Sequence, residues 1–335
     1  MPPDLSERAA ALRLLAILWI VLFHAQPLQD PGALTGVAAY LRHALVDVGA
    51  RAGVPVLTAL SGYFVFASRA DRAPRRLYAR KARSLLVPLL VWNAPVVALV
   101  VLLQARGLAG GLTPVDPSPF GLLDATLGLS RMTPNYPLTF LRDLFALALL
   151  APALGVALRR APVPTLAGGV AIFLAPDGPV LFREQMLPAF LMGGAVARRP
   201  GLLRALDRHG VPCAAAFALG CLGLSAAGTL PPPWVQLFAL ASVPLLWAAA
   251  GRLPRRIAAS LAALSPASFF VFVAHAPILA ASWIAWRTTD LPPQAHWTAG
   301  PVFALALLLV IYRFVLPRLP SGPVRTALGG RLSPI

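Results

Sequence analysis

The 335-residue chain is 58% hydrophobic and only 12% charged, with a mean hydropathy of +0.73. A soluble domain carries about 25% charged residues, so this composition excludes a soluble globule and points to an all-α, polytopic membrane helix bundle forming one domain over residues 1–335. The net charge of +17 invites a nucleic-acid reading, but 28 of the 29 cations are arginines scattered between apolar segments, so no nucleic-acid partner is expected.

A membrane span takes about 20 apolar residues. In chain order the candidates are 12–28, 52–67, 85–103 and 138–158, then a short pair, 163–175 and 185–197, around a polar break at Asp177–Glu184. Four more follow at 211–229, 234–250, 266–286 and 298–316. The first is too long for a cleaved signal peptide. With ten crossings and the N-terminus inside, the inner segments hold 22 cations and the outer ones 6, with Arg142 within a span. That asymmetry predicts N-in, C-in. The short pair fits either two crossings or a re-entrant hairpin, which would leave eight spans. The longest loop, about Gln104 to Pro137, is expected outside, as a lid over a substrate site or a connector. Cys213 and Cys221 stand eight residues apart in one apolar segment, about 12 Å on a helix, which excludes a disulfide between them. No metal site is expected. No inverted repeat of the secondary-transporter kind is visible.

Ionisable groups inside the hydrocarbon cost at least about 2.5–3.5 kcal/mol, so each is a functional candidate. Arg13 and His24 lie eleven residues apart on the first span, about 16 Å along nearly one helix face. They could grip two ends of one long ligand; alternatively Arg13 anchors the helix and His24 bonds a neighbour. The inner loop from Arg69 to Arg83 concentrates seven cations against Asp71. It serves as a topology signal, or as a phosphate clamp in which Arg80 and Arg83, spaced i, i+3, share a face. Arg142 and Asp143 are adjacent, point about 100° apart, and are expected to need separate partners or outside water. His275 lies in the ninth span before Pro277, which breaks the helix locally and frees a carbonyl; it is a structural kink histidine or a catalytic one.

Taken together, these segments resemble the acyltransferase-3 family of integral membrane O-acyltransferases. Five stretches carry the resemblance, in order. Arg13 and His24 meet the family's Arg-X10-His pattern. Gly53-Val-Pro-Val-Leu-Thr-Ala-Leu-Ser61-Gly62-Tyr63-Phe64 is similar to its Ser-Gly-Tyr span. Tyr78-Ala-Arg80-Lys-Ala-Arg83 matches its basic Arg-X-X-Arg before the third span, with Trp92 following. Pro137-Leu-Thr-Phe-Leu-Arg142-Asp143-Leu resembles "PLWFLRDL", and Ser265-Pro-Ala-Ser-Phe-Phe…His275-Ala-Pro277 the family's late His-X-Pro. Thr139 replaces the usual Trp, Thr58-Ala59 a bulkier pair, and Ala10 a frequent acid, which bears on subfamily and acceptor.

The resemblance implies transfer of an acyl group, usually acetyl from acetyl-CoA, to a hydroxyl of a carbohydrate or other small acceptor, at the inner cell membrane. On that reading His24 is the general base. Arg13, Arg80 and Arg83 bind the CoA phosphates, and His275 or Arg142 positions the acceptor or thioester oxygen. Asp143, Ser61 and Tyr63 complete the site, with Asp143 orienting a His or Arg from another helix. Direct transfer and a covalent acyl-histidine both remain open. The alternative function is a non-enzymatic transporter or exporter of glycan or lipid precursors, which would also place Arg, Asp and His within the membrane.

Overall fold

A backbone in lipid must satisfy its own hydrogen bonds, and these Leu-, Ala- and Val-rich runs do so by winding into helices. The computed structural model describes residues 3–25, 35–108, 112–175, 181–183, 185–228, 232–319, 322 and 327–329, and the described residues contain no strand. The first half is built from α1 (Pro3–His24), α2 (Gly36–Arg42), α3 (Gly53–Ala67), α4 (Pro74–Lys81), α5 (Val87–Ala105), α6 (Pro119–Leu127) and α7 (Thr139–Arg160). Next come α8 (Pro162–Leu174), α9 (Met186–Arg198), α10 (Gly201–Asp207) and α11 (Gly210–Ala226). The last quarter holds α12 (Pro232–Ala250), α13 (Arg255–Leu264), α14 (Ser268–Trp286) and α15 (Pro293–Val310). Wide π turns at His43–Val48 and Ala82–Leu86 splice α2 towards α3 and α4 into α5.

Six helical runs among the described residues are long and apolar enough to cross a membrane: Gly36–Ala67, Pro74–Ala105, Tyr136–Arg160, Pro233–Ala250, Arg255–Trp286 and Ala295–Arg318. The pair α10 and α11, bent by 75°, would make a seventh. The remaining expected spans fall short for visible reasons. Every 18-residue window of α1 holds three or more of Asp4, Glu7, Arg8 and Arg13. At 13 residues each, α8 and α9 reach only about 20 Å, against a hydrocarbon core of about 30 Å. Residues 26–28 and 229 of the expected spans, and 177–180 and 184 of the polar break, lie outside the described residues.

Short as it is, α9 is central, packing its length against α3. Lipid gives helices no hydrophobic reason to associate, so small residues that admit close backbone approach must provide it. Here they do: a Cβ on Gly193 would stand 2.0 Å from the Ala59 carbonyl oxygen, and one on Gly62 2.2 Å from that of Phe190. The main core gathers residues of α1, α3, α7, α9 and α14, including Leu12, Leu60, Leu147, Phe190 and Phe272. Three ion pairs tie helix ends at the basic face: Asp71, buried, takes Arg159 at 2.7 Å and Arg198 at 3.7 Å, and Arg8 pairs with Asp207.

The described part of the 104–137 loop is an ordered cap on α5. Asn93 donates to the carbonyls of Ala125 and Thr126, both at 2.8 Å, and accepts from the Asn135 N–H at 3.1 Å. Gln104 pairs both ways with the Val115 backbone. Burial of Asp124 opposes its ionisation, but the Ser130 hydroxyl and N–H outweigh it and hold the carboxyl below its usual range. The cap leads into a single 3-10 turn, Tyr136–Leu138, which sets Tyr136 at the mouth of α7.

Candidate active site

His24 is the last residue of α1, and His275 sits a third of the way along α14; both side chains are buried. Their rings meet, His24 Nδ1 to His275 Nε2 at 2.7 Å. The planes are 5° apart with centres 5.0 Å apart. So short a nitrogen contact at that centre distance describes rings joined edge to edge in one plane, not a face-to-face stack.

The backbone assigns the protons. His275 Nδ1 lies 2.6 Å from the Phe272 carbonyl and 3.2 Å from that of Val271, and carbonyls only accept. His275 Nδ1–H therefore donates, leaving its Nε2 as a bare acceptor when the ring is neutral. That acceptor takes the Nδ1–H of His24, so the second nitrogen of His24, Nε2, carries the lone pair. Pro277 plays a different part from the one its sequence position suggested. α14 continues through it, and the imidazole uses carbonyls one turn back because helical side chains tilt towards the N-terminus.

Beside His24 stand two groups that the sequence motifs did not single out. The Tyr136 ring meets the His24 ring edge-on at 4.7 Å, and Arg183 Nη2 donates to the Tyr136 carbonyl at 3.3 Å. Arg183 is close enough for its charge to act on His24, Tyr136 and Asp143. Burial pulls its guanidinium below the ordinary arginine range and Asp143 holds it up; an arginine in this setting stays protonated at neutral pH.

Asp143, fully buried in the second turn of α7, organises this corner. Its carboxylate accepts the backbone N–H of Arg183 at 3.0 Å and that of Phe182 at 3.4 Å. It also pairs with Arg142 at 2.8 Å, which corrects the expectation that adjacent residues on one helix cannot meet. The Cβ vectors do diverge, but an arginine side chain is long enough to curl round the first turn. The same guanidinium lies over Phe182 at 4.3 Å and donates to the Gly128 carbonyl at 3.0 Å, clamping cap to α7.

The other sequence candidates stand apart from the imidazole pair. Arg13 is half-buried on the same uninterrupted α1, its guanidinium 5.9 Å from the Phe64 ring centre. Ser61 turns its hydroxyl back to Leu57 of its own helix, at 2.9 Å. Tyr63 packs on Phe64 and lines an apolar cavity of about 80 Å³ with Leu12, Leu60, Val243 and Trp247. Arg80 and Arg83 are exposed before α5. A π turn takes up Arg83, so the pair is less in register than i, i+3 on a straight α-helix would be.

Tyr136 directly precedes the Pro137 motif, a position from which it could have been found; Arg183 sits in the polar break, where it counted only as an outer charge.

A buried, hydrogen-bonded imidazole pair beside a cation, set among apolar helices, is equipped for general acid–base chemistry. The acyltransferase domain of the acyltransferase-3 family matches residues 10–313, and the chain belongs to this family of membrane acyltransferases. It is similar to the succinoglycan biosynthesis protein ExoH of Rhizobium meliloti (strain 1021), 31% identical over 333 residues, covering 94% of this chain and 90% of that protein. No solved structure matches it.

Proposed function

We propose that the protein is a multi-pass inner-membrane O-acyltransferase that moves an acyl group, acetyl in the usual case, from acyl-CoA to a hydroxyl of a carbohydrate. The observation that carries this reading is the His24–His275 bond, because it leaves an unprotonated nitrogen at a defined, buried place in the bundle. A sugar hydroxyl is too weak an acid to attack a thioester unaided. His24 Nε2 takes its proton as the oxygen attacks, and the resulting imidazolium is stabilised through Nδ1–H by His275. A base so placed typically contributes 10²–10⁴-fold. His24 returns the proton to the departing CoA thiolate.

Arg13, Arg80 and Arg83 meet the CoA phosphates from the inner side, Arg13 on the helix that carries the base. Ten crossings with both ends inside put these arginines at the cytosolic mouth and the cap outside, α1 and the short helices α8 and α9 included among the crossings. Arg142 fastens the cap instead of touching substrate, since its donors already serve Asp143 and Gly128. The carbohydrate acceptor follows the relative's part in succinoglycan biosynthesis.

The test is thiol release from acetyl-CoA by purified protein in lipid nanodiscs, with a panel of hexose oligosaccharides as acceptors. Wild type should turn over, and a folded His24→Ala variant should lose about 10²–10⁴-fold. A wild type that neither turns over nor gains thermal stability from CoA would overturn the proposal.

A further inference from the structure

The geometry points to Arg183 as a catalytic residue: its guanidinium donates hydrogen bonds to the thioester carbonyl oxygen as that oxygen becomes an oxyanion. The assignment rests on the acyl-transfer reading above and adds to it the group that bears the developing negative charge.

Three features place Arg183 there. The first is position. Tyr136 touches the His24 ring edge-on at 4.7 Å, and Arg183 Nη2 is bonded to the carbonyl of that same Tyr136 at 3.3 Å. The second is anchorage. Asp143 accepts the Arg183 backbone N–H at 3.0 Å while its carboxylate is engaged by Arg142, so the main chain is fixed and no side-chain bridge to Asp143 consumes the guanidinium. Among the described residues, the Tyr136 carbonyl is the one hydrogen-bond acceptor that the Arg183 side chain meets. Among the described residues, four of its five N–H donors have no such acceptor. The third is surroundings. Arg183 is half-buried, where desolvation acts on its guanidinium. Holding a cation there costs solvation, and an anionic transition state is what would repay it.

The step balances. The acceptor O–H bond breaks and its proton goes to His24 Nε2. The new C–O bond forms at the thioester carbon, and the C=O electron pair moves onto oxygen, where Arg183 meets it. Collapse restores the carbonyl and breaks the C–S bond, and the thiolate leaves with the proton from His24. Fixed donors aimed at such an oxygen act in the transition state more than on the resting carbonyl, so they raise kcat more than they lower KM.

The experiment measures kcat and KM for acetyl-CoA in nanodiscs for wild type, Arg183→Gln, Arg183→Lys and Arg106→Gln, with thermal stabilisation by CoA as the binding readout. Arg183→Gln should lose about 10²–10³-fold in kcat, with stabilisation by CoA unchanged. Arg183→Lys keeps the charge but not the planar fork, and should fall about tenfold. Arg106→Gln, which removes an exposed arginine ahead of the cap, should match wild type. A folded Arg183→Gln within about threefold of wild-type kcat would overturn the assignment alone. If that variant does not fold, an Arg183→Lys enzyme within the same margin would overturn it. A wild type inert towards acetyl-CoA would overturn the acyl-transfer reading, and the assignment with it.

Discussion

At the residue scale the decisive atom is a carbonyl. The Phe272 oxygen fixes the proton on His275 Nδ1, and that choice propagates through one hydrogen bond to decide which nitrogen of His24 is basic. His275→Phe keeps a flat ring of similar volume but removes the acceptor. His24 is then free to hold its proton on either nitrogen, and its imidazolium loses its partner. The expected result is a fall of about 10²–10⁴-fold in kcat, with stabilisation by CoA unchanged. The pH profile follows from the same atom. Acidification places a proton on Nε2 and removes the base, so kcat/KM should decline towards acid pH over the range in which the protein stays folded. A flat profile would count against His24 as the base. How much of this was readable in advance differs by residue. His24 and His275 were visible because a histidine in an apolar run is conspicuous, whereas their contact spans 251 residues of sequence and nothing local encodes it. Arg183 was invisible for the opposite reason: in a polar break an arginine is ordinary, and only Asp143 and the cap give it a place.

At the element scale, the most extensive helix–helix contact in the bundle belongs to one of its shortest apolar helices. Hydropathy gives α9 little weight, since 13 residues do not span a bilayer, yet its small residues let it lie closer to α3 than a longer Leu-rich helix could. The composition records the small residues without recording which backbone they meet. Gly193→Ala tests the contact. The added methyl would stand 2.0 Å from the Ala59 carbonyl, and backbone on both sides leaves no flexible side chain to yield. Overpacking of this kind costs about 1–3 kcal/mol, so the variant should unfold at a clearly lower temperature in detergent. Gly168→Ala, where nothing lies within 4 Å of the new atom, should not. Equal unfolding temperatures for the two variants would mean that α3 and α9 separate at little cost. The Arg142–Asp143 pair belongs to the same scale: helix geometry alone argued against it, and the reach of one side chain reversed the outcome.

At the scale of the whole molecule, the proposed function and the charge asymmetry together predict that donor and acceptor arrive from opposite sides. The arginines of α4 and the following π turn mark one face, and the cap that carries Tyr136 marks the other. If both ends of the chain are inside, the base lies at the outer end of α1, a long thin donor threads upward past Arg13, and the sugar meets it under the cap. Cysteine labelling separates this arrangement from its inverse. In a background with Cys213→Ser and Cys221→Ala, Met132→Cys on the cap and Ala73→Cys just before α4 are both exposed positions. In intact spheroplasts a membrane-impermeant maleimide should label Met132→Cys and spare Ala73→Cys, and inverted vesicles should reverse the pattern. Labelling of both from one side would place cap and basic loop on the same face. The donor and the acceptor would then share one entrance, and the 16 Å or so between Arg13 and His24 would no longer measure a path across the membrane.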